Sequence, residues 1–216
     1  EYADTAVKAV HQFFFHTAQT IEVFAFGAGT IGGTMIDQIR DQREKLLKEN
    51  VDIKVLAITT IDGMILNEDG IELSNWRDQM KKPDFPFGPQ NVDDIIKFVK
   101  EKKPLNPVFV DCTASYDLPE RYLDIINAGM SIATPNKRAN SMDINFYHEL
   151  RRTANKMNRR FLYETNVGAG LPIIDTLQNL YKSGDKLESF NGIMSGSLSY
   201  IFGKLDEGVK FSQAVK

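Results

Sequence analysis

The feature that most constrains this chain is a glycine-rich turn between a buried strand and a helix. The run IEVFAF over residues 21–26 is apolar apart from Glu22, which predicts a strand buried on both faces of a parallel sheet. The segment GAGTIG (27–32) follows at once, and Met35, Ile36 and Ile39 then recur at helical spacing. This order predicts a strand, a tight turn and a helix that packs back on the strand.

The alternation of strand and helix continues along the chain. Strands are predicted at DIKVLAIT (52–59), PVFVDCT (107–113), MSIATPNK (130–137) and RFLYET (160–165). Helices are predicted at VDDIIKFVKE, LPERYLDIINAG and FYHELRRTANKMNR, whereas the stretch after the second strand is polar. Such alternation implies parallel strands joined by helical crossovers. We therefore predict an α/β fold, a Rossmann-type doubly wound parallel sheet, followed by the beginning of a second α/β domain.

The glycines fit the pattern G-x-G-x-x-G, in which each glycine has its own physical task. Gly27 permits the tight turn, Gly29 lets a pyrophosphate approach the backbone, and Gly32 lets helix and strand pack closely. The start of the helix offers free amides to phosphate oxygens. A purely structural bend is the alternative, but the position between a buried strand and an amphipathic helix favours dinucleotide binding.

The choice between NAD and NADP stays open at this stage. An NAD site usually has an acidic residue near the end of the second strand, where it accepts hydrogen bonds from the ribose. Here the second strand ends in Thr59 and Thr60, and Asp62 lies farther along the loop. No arginine follows immediately to receive a 2′-phosphate.

Two further strand ends carry polar residues that are expected to face the cofactor. These are DCTAS (111–115) and TPNKR (134–138), at the carboxyl ends of predicted strands. Thr113 offers a hydroxyl and an amide near the nicotinamide ribose, and capping of the next helix is its alternative role. Lys137 follows a proline, where a buried ammonium would orient a substrate hydroxyl or share in proton transfer; a solvated surface lysine is the alternative.

Composition excludes several classes of protein. The 216 residues have a net charge of −3 and a pI near 5.7, which argues against a nucleic-acid or anionic-membrane surface. No apolar run approaches the roughly 20 residues of a membrane-spanning helix. Cys112 is the single cysteine, which excludes an intrachain disulfide and fits a reducing compartment, with the cytoplasm as the default location. The basic run RRTANKMNRR (151–160) is expected to be a solvated helix face.

Five segments, taken in order, resemble homoserine dehydrogenase. They are GAGTIGG, VDCTAS, TPNKRAN, ETNVGAGLPII and GIMSGSLSYIFGKLDEG. The resemblance is strongest to the dehydrogenase part of bifunctional aspartokinase/homoserine dehydrogenases. It implies reversible interconversion of L-homoserine and L-aspartate 4-semialdehyde with NADP or NAD, a step in threonine and methionine biosynthesis. It also implies a homo-oligomer in the full-length protein, with no nucleic-acid or membrane partner.

The resemblance assigns roles to residues in each motif. Lys137 would be the catalytic residue, beside the nicotinamide and the substrate. The segment ETNVGAGLP would wrap a monovalent cation, usually sodium, although it would serve equally as a simple crossover between domains. Ser195 and Ser197 would contact the substrate through their hydroxyl groups. They lie in a stretch (192–200) whose local pattern predicts a strand and turn. The dinucleotide would contact Gly27, Ala28, Gly29, Thr30, Ile31, Gly32, Thr59, Thr113, Ala114 and Lys137, and the cation Glu164, Val167, Ala169 and Leu171.

The expected organisation is a connector, a cofactor domain and a truncated third part. Residues 1–20 would form a connector helix from a preceding region, 21–163 the dinucleotide-binding Rossmann domain, and 164–216 the start of a catalytic and dimerisation domain. Neither end carries the usual signals of a helix terminus, which predicts a fragment. The family's substrate-binding carboxylates and second lysine would follow the last residue. The fragment alone is therefore expected to bind cofactor and to turn over little or nothing.

Two other functions are kept as alternatives. An enzyme like aspartate-semialdehyde dehydrogenase would use Cys112 as a nucleophile, which requires an exposed thiol and an activating base. His11, His16 and His148 are predicted on helices with no approach to that thiol, so a buried, inert cysteine is favoured. A non-catalytic dinucleotide-binding regulatory module is the second alternative. A serine hydrolase is excluded, because the residues around Ser195 do not fit G-x-S-x-G.

Overall fold

The chain divides into two units. A computed structural model describes residues 3–14, 18–88, 90–193 and 195–216. The first unit is Glu1–Tyr163 and the second is Glu164–Lys216. In the described residues the first unit combines a sheet with helices, whereas the second contains helices and loops.

The first unit is built on a six-stranded sheet. Its neighbouring strands follow the order β3-β2-β1-β4-β5-β6. All neighbours pair in parallel except β2 and β3, which are antiparallel. The order is that of the Rossmann fold, so the predicted doubly wound sheet is confirmed. The strands are β1 (Gln19–Phe26), β2 (Val51–Thr60), β3 (Gly63–Leu66), β4 (Pro107–Asp111), β5 (Ser131–Ala133) and β6 (Phe161–Leu162).

Four strand predictions need correction. The strand expected over 107–113 ends at Asp111. The sequence pattern missed β3, whose four residues lie in a stretch that is polar overall and return along β2 after the turn Ile61-Asp62. The strand expected over 130–137 ends at Ala133, because Thr134 and the residues after it leave the sheet and form side-chain hydrogen bonds. The strand expected over 160–165 is likewise limited to Phe161–Leu162.

Helices cover both faces of the sheet. Helices α2 and α3 pack on one face, around Ile36 and Trp76, whereas α4, α5 and α7 pack on the other, around Ile95 and Tyr122. Successive residues of β1 alternate between the two cores, as expected for a pleated strand buried on both faces. The helices of this unit are α1 (Ala3–Phe14), α2 (Thr30–Lys48), α3 (Trp76–Gln79), α4 (Gln90–Lys102), α5 (Tyr122–Asn127), α6 (Arg138–Ser141) and α7 (Ile144–Lys156).

The described part of the second unit contains α8 (Ile173–Lys182), α9 (Gly196–Asp206) and α10 (Phe211–Ala214). The strand and turn predicted over 192–200 are wrong from Gly196 onward, because α9 begins there. Ser195 caps this helix, with its Oγ accepting a hydrogen bond of 3.2 Å from the Leu198 amide. Met194, inside the predicted strand, lies outside the described residues.

Candidate functional site

The glycine turn lies where three strand ends meet. Gly27, at the end of β1, has a φ of 84°, a conformation that glycine adopts at low cost. Its amide donates a hydrogen bond of 2.9 Å to the Thr59 carbonyl at the end of β2. A Cβ atom added at Gly27 would lie 2.8 Å from Cγ2 of Thr113, which follows β4. The structure therefore brings Gly27, Thr59 and Thr113 together, as the carboxyl ends of parallel strands require.

The other two glycines of the pattern have opposite surroundings. A Cβ at Gly32 would lie 2.0 Å from the Gly27 carbonyl oxygen, so only glycine lets α2 pack this closely on β1. A Cβ at Gly29 would have no heavy atom within 4 Å, because that position faces open space. The arrangement fits the three tasks of a dinucleotide-binding turn, with Gly29 at the position where phosphate approaches.

The start of α2 is suited to binding an anion. Gly29 is the N-cap residue, no side chain caps the helix, and no acidic residue occupies its first turn. The first amides of an α-helix have no partner within the helix, and the helix dipole is positive at that end. Thr30 and Ile31 are exposed there. Their amides can therefore donate to phosphate oxygens without displacing a protein group.

An ion pair fixes α2 to α3. The Asp37 carboxylate accepts hydrogen bonds from Arg77, of 2.8 Å at Nη1 and 2.5 Å at Nη2, and one of 3.1 Å from the Trp76 indole. The hydrogen bond with Arg77, and next that with Trp76, lowers the pKa of Asp37 to about 2. The sequence did not indicate this contact, because 39 residues separate Asp37 from Trp76.

A buried carboxylate joins the loops after β4 and β5. Asp111, the last residue of β4, is fully buried. One oxygen accepts hydrogen bonds from the Thr113 amide (2.7 Å) and hydroxyl (2.6 Å). The other accepts bonds from the Tyr122 hydroxyl (2.6 Å) and from Nδ2 of Asn136 (3.2 Å). Sequence reasoning missed Asp111 as a site residue, although a charged residue directly after PVFV in a buried strand was a usable signal.

Thr113 does not cap the helix that follows it, so that alternative is wrong. The next helix is the 3-10 helix Leu118–Arg121, whose N-cap residue Asp117 forms no side-chain cap bond. The Ser115 Oγ accepts hydrogen bonds from the amides of Asp117 (3.2 Å) and Leu118 (3.1 Å) just before it. The Thr113 hydroxyl instead donates to Asp111 and accepts a bond of 3.1 Å from the Ser115 amide. Ala114 is exposed between them, at the surface of the loop.

Lys137 is exposed at the start of α6, so the expected buried ammonium is wrong for this chain. Its neighbours are held firmly. Asn136 is buried, donates from Nδ2 to the Ser115 carbonyl (2.9 Å) and accepts from the Arg138 amide (3.0 Å). The backbone of Lys137 is therefore placed beside the loop that carries Thr113, and the residue itself is exposed.

Cys112 has the properties of an inert thiol. Burial, and next the charge of Asp111, raises the pKa of this thiol to about 11. A nucleophilic cysteine needs a lowered pKa, so the geometry opposes the thiolate mechanism. His11 lies on α1 and His148 on α7, as predicted, whereas His16 lies outside the described residues.

The basic run 151–160 is not entirely a solvated face. The Arg151 guanidinium carbon lies 3.3 Å from the ring centroid of Tyr147 and 4.8 Å from that of Tyr163. The same guanidinium donates a hydrogen bond of 2.8 Å to Oδ1 of Asn140. Arg151 therefore stacks between aromatic rings and ties α7 to the segment after Lys137, which charge pattern alone did not predict.

The segment expected to wrap a cation is irregular and lies wholly in the second unit. Gly168 and Ala169 have φ values of 73° and 52°, so the chain turns sharply there. The Glu164 carboxylate accepts hydrogen bonds of 2.8 Å each from the amides of Ile174 and Asp175, at the start of α8. That side chain is already engaged, so a cation at this segment would bind main-chain oxygens. Val167 is half-buried, whereas Leu171 and Ser197 are exposed.

Two features are missing from the ranges that the structure describes. Among them no helix has both the length and the apolar character needed to cross a bilayer. The same ranges contain no group of three or more histidine, cysteine, aspartate or glutamate residues placed to hold a metal ion.

Two family profiles match the sequence. The one described as homoserine dehydrogenase, NAD binding domain, matches residues 27–164. The one described as homoserine dehydrogenase matches residues 172–216. Together they include the glycine turn, the β4 and β5 strand ends and most of the second unit.

Curated relatives carry the same description. The bifunctional aspartokinase/homoserine dehydrogenase of Haemophilus influenzae is 44% identical over 208 residues, which cover 96% of this chain and 25% of that protein. A chloroplastic bifunctional relative from Arabidopsis thaliana is 40% identical over 97% of this chain and 23% of its own length. The homoserine dehydrogenase of Schizosaccharomyces pombe is 34% identical over 84% of this chain and 48% of its own length. This chain thus spans about a quarter of the bifunctional relatives.

Solved structures agree on the fold. A hyperthermophilic archaeal homoserine dehydrogenase in complex with NADPH matches with a TM-score of 0.72 and 25% identity, over 91% of this chain and 60% of that one. The Thermoplasma acidophilum homoserine dehydrogenase matches with a TM-score of 0.69 and 22% identity, over 91% and 59%. The second likeness concerns the fold alone.

Proposed function

This chain belongs to the homoserine dehydrogenase family, and from that premise we propose that it forms the cofactor-binding part of an enzyme that interconverts L-homoserine and L-aspartate 4-semialdehyde. The observation that carries the proposal is the glycine turn, in which Gly27 and Gly32 are sterically obligatory while Gly29 faces open space at the start of α2. The bound NADP or NAD would accept the hydride from the substrate alcohol, or return it to the aldehyde.

The proposed cofactor site runs along the carboxyl ends of β1, β2, β4 and β5. The amides of Gly29, Thr30 and Ile31 would bind the pyrophosphate, at the positive end of the α2 dipole. Thr113 and Ala114, in the loop after β4, would lie nearer the nicotinamide. Ala28 and Gly32 complete the turn, and the Thr59 carbonyl fixes its position by accepting both the Gly27 and the Ala28 amide.

Lys137 is the proposed catalytic residue of this unit. Lys137 follows β5 and is exposed, and the support for its role is that the carboxyl end of β4, which carries Thr113, lies at the same side of the sheet. The Lys137 amine would orient the substrate hydroxyl and share in moving its proton as the hydride is transferred. Ser195 and Ser197 of the second unit are proposed as further hydroxyl contacts to the substrate.

The end of β2 favours acceptance of NADP as well as NAD. Thr60 is neutral, and the Asp62 amide donates a hydrogen bond of 3.1 Å to the Thr60 hydroxyl across the turn. Asp62 thus lies beyond the strand, as the second turn residue, directly before Gly63. A 2′-phosphate placed beside Thr60 would avoid the close carboxylate that usually rejects it in NAD-specific sites.

A monovalent cation, sodium by resemblance, is proposed for the segment Glu164–Leu171. The support is the sharp turn at Gly168 and Ala169 in an irregular stretch, because such a turn can direct several main-chain oxygens, the ligands that hard cations prefer, towards one point. The carbonyls of Glu164, Val167, Ala169 and Leu171 would supply them. Replacing sodium by choline at constant ionic strength should then lower the melting temperature of the complete enzyme, and an unchanged value would contradict the cation site.

The remaining features of the complete protein are proposals of the same kind. We expect an aspartokinase part in the same polypeptide, assembly as a homo-oligomer and a cytoplasmic location. The identity to bifunctional relatives supports the first, and the single cysteine fits the last.

The decisive experiment is homoserine-dependent reduction of NADP or NAD by the complete enzyme, followed by absorbance. Wild-type enzyme should reduce a nicotinamide cofactor only when homoserine is present. Lys137→Ala should lower kcat by roughly 100-fold or more while changing cofactor affinity little. Lys156→Ala, an exposed lysine at the end of α7, is the matched control and should leave both unchanged. Cofactor binding without any homoserine-dependent reduction would support the regulatory module instead.

A further inference from the structure

We propose that Asp111 is a positioning residue, whose buried carboxylate holds the β4 loop (residues 112–115) and the β5 loop (residues 134–137) in one fixed arrangement. The inference rests on the proposed function, because its consequence is that Lys137 is held at a set distance from the cofactor. Asp111 itself would touch neither cofactor nor substrate.

The chemistry of a buried carboxylate requires such a network. Asp111 has no exposed surface, and an ionised group in that position is stable only when donors surround it. Four donors do so, and three of them lie at 2.6–2.7 Å, the range of charge-assisted hydrogen bonds. Its two oxygens face different loops, so the charge acts as a bridge between them.

One oxygen holds the β4 loop against the glycine turn. Both hydrogen-bonding groups of Thr113 donate to it, which fixes the backbone and the side chain of that residue together. The Thr113 methyl carbon lies 2.8 Å from the position that a Cβ of Gly27 would occupy, so it packs against the glycine turn. A loss of the Asp111 bond would therefore loosen the contact between the β4 loop and the turn.

The other oxygen holds the β5 loop. Asn136 donates from Nδ2 to Asp111 and to the Ser115 carbonyl, and accepts from the amide on the far side of Lys137. Thr134 donates a bond of 2.8 Å to the Asp111 carbonyl and accepts one of 2.8 Å from the Asn136 amide. The residues on either side of Lys137 are therefore both fixed through Asp111, because Asn136 binds its carboxylate and the Arg138 amide binds Asn136.

Tyr122 supplies the remaining donor from α5. Its ring is fully buried and lies 5.9 Å, edge to face, from the Phe161 ring of β6. Burial, and next the charge of Asp111, raises the pKa of this phenol, so it stays protonated and keeps donating. The carboxylate is therefore also tied to α5.

The test compares Asp111→Asn with Asn91→Ala in the complete enzyme. An amide has the shape of the carboxylate but only one acceptor oxygen, so it can keep its bonds to one loop only. Asn91 is an equally buried polar residue with hydrogen bonds to a loop, to the Gly88 amide (2.9 Å) and the Pro86 carbonyl (3.2 Å), on α4. Asn91→Ala is the matched control for a purely structural loss.

Asp111→Asn should lower kcat by at least about tenfold while the Kd for NADPH changes by less than about threefold, since small displacements of a catalytic group are costly. Asn91→Ala should lower the melting temperature and leave kcat unchanged. A kcat of Asp111→Asn that equals wild type, or that falls only as far as the loss of folded protein explains, would overturn the inference.

Hydrogen exchange separates this inference from the proposed function. In Asp111→Asn the amides of Thr113 and Arg138 should exchange at least about tenfold faster than in wild type, and in Asn91→Ala they should not. If wild-type enzyme shows no homoserine-dependent reduction, the proposed function fails, and the exchange result alone decides whether Asp111 joins the loops. Unchanged exchange at both amides would refute the joining role whatever the activity.

Discussion

The two units differ in how far their large apolar side chains are buried. The first buries them on both faces of its sheet, with Phe24, Ile36 and Phe109 fully enclosed. In the described residues of the second, Ala214 is the only buried apolar residue, whereas Leu198 and Phe202 of α9 are more than half exposed. The cofactor-binding unit therefore has a core of its own, and the helices of the second unit show no comparable core.

Mutations to alanine should reveal this difference most strongly. Ile36→Ala removes a side chain with no exposed surface from the core between α2 and the sheet, and should cost roughly 2–5 kcal/mol of unfolding free energy. Leu198→Ala, at a position 54% exposed on α9, should change it by less than about 0.5 kcal/mol. Urea titration of this 216-residue chain measures both. Equal losses would show that the second unit is packed as tightly as the first.

Alanine substitutions at two glycines of the turn should separate an effect on the stability of the first unit from an effect on cofactor binding. Gly32→Ala places a methyl group against the Gly27 carbonyl and should destabilise the first unit by roughly 1–3 kcal/mol. Gly29→Ala meets no protein atom, so the melting temperature should stay unchanged while NADPH affinity falls by about tenfold or more. Calorimetric titration with NADPH is the measurement. A Gly29→Ala chain that binds as well as wild type would place the phosphate elsewhere.

The ion pair on α2 should give the first unit a distinct acid sensitivity. The pKa of Asp37 in the folded state, about 2, lies below its ordinary value of 3.8. Ionised Asp37 therefore stabilises the fold fully above about pH 4, and this stabilisation is lost as the pH falls towards 2. Asp37→Asn should be less stable than wild type at neutral pH and lose less stability over that window. Parallel pH curves of melting temperature would contradict the role given to Arg77 and Trp76.

Replacement of Cys112 should have the smallest effect. The raised pKa keeps this thiol protonated at neutral pH, so Cys112→Ser removes no nucleophile. We expect kcat of the complete enzyme to stay within about twofold of wild type, with a small loss of stability from burying a hydroxyl. A large fall in kcat without loss of folded protein would revive the thiolate alternative.

The sequence predicted the first unit better than the second because its strands carry strong local signals. β1, β2 and β4 each contain an apolar run that predicts a buried strand, and the glycines follow β1 directly. β3 was missed because four residues give too short a pattern. The strand and turn predicted over 192–200 overlap the first turn of α9, although Leu198, Ile201 and Leu205 recur at helical spacing after the Ser195 cap.

The candidate site was only partly predictable for a different reason. The glycines, Thr113 and Lys137 belong to short motifs, so their positions at strand ends followed from local order. The contacts made by Asp111 and Asp37 link residues that are far apart in sequence, and no local pattern specifies such partners. The exposure of Lys137 was also not predictable, because it depends on what the rest of the fold leaves uncovered.

The central claim is that the amides at the start of α2 hold the cofactor diphosphate. The most direct measurement is the change in backbone amide chemical shifts of this chain on titration with NADPH. We expect the largest changes at Gly29, Thr30 and Ile31, with a second group around Thr113. Unmoved amides at the start of α2, or changes confined to residues in the middle of β1 and β2 such as Glu22 and Lys54, would contradict it.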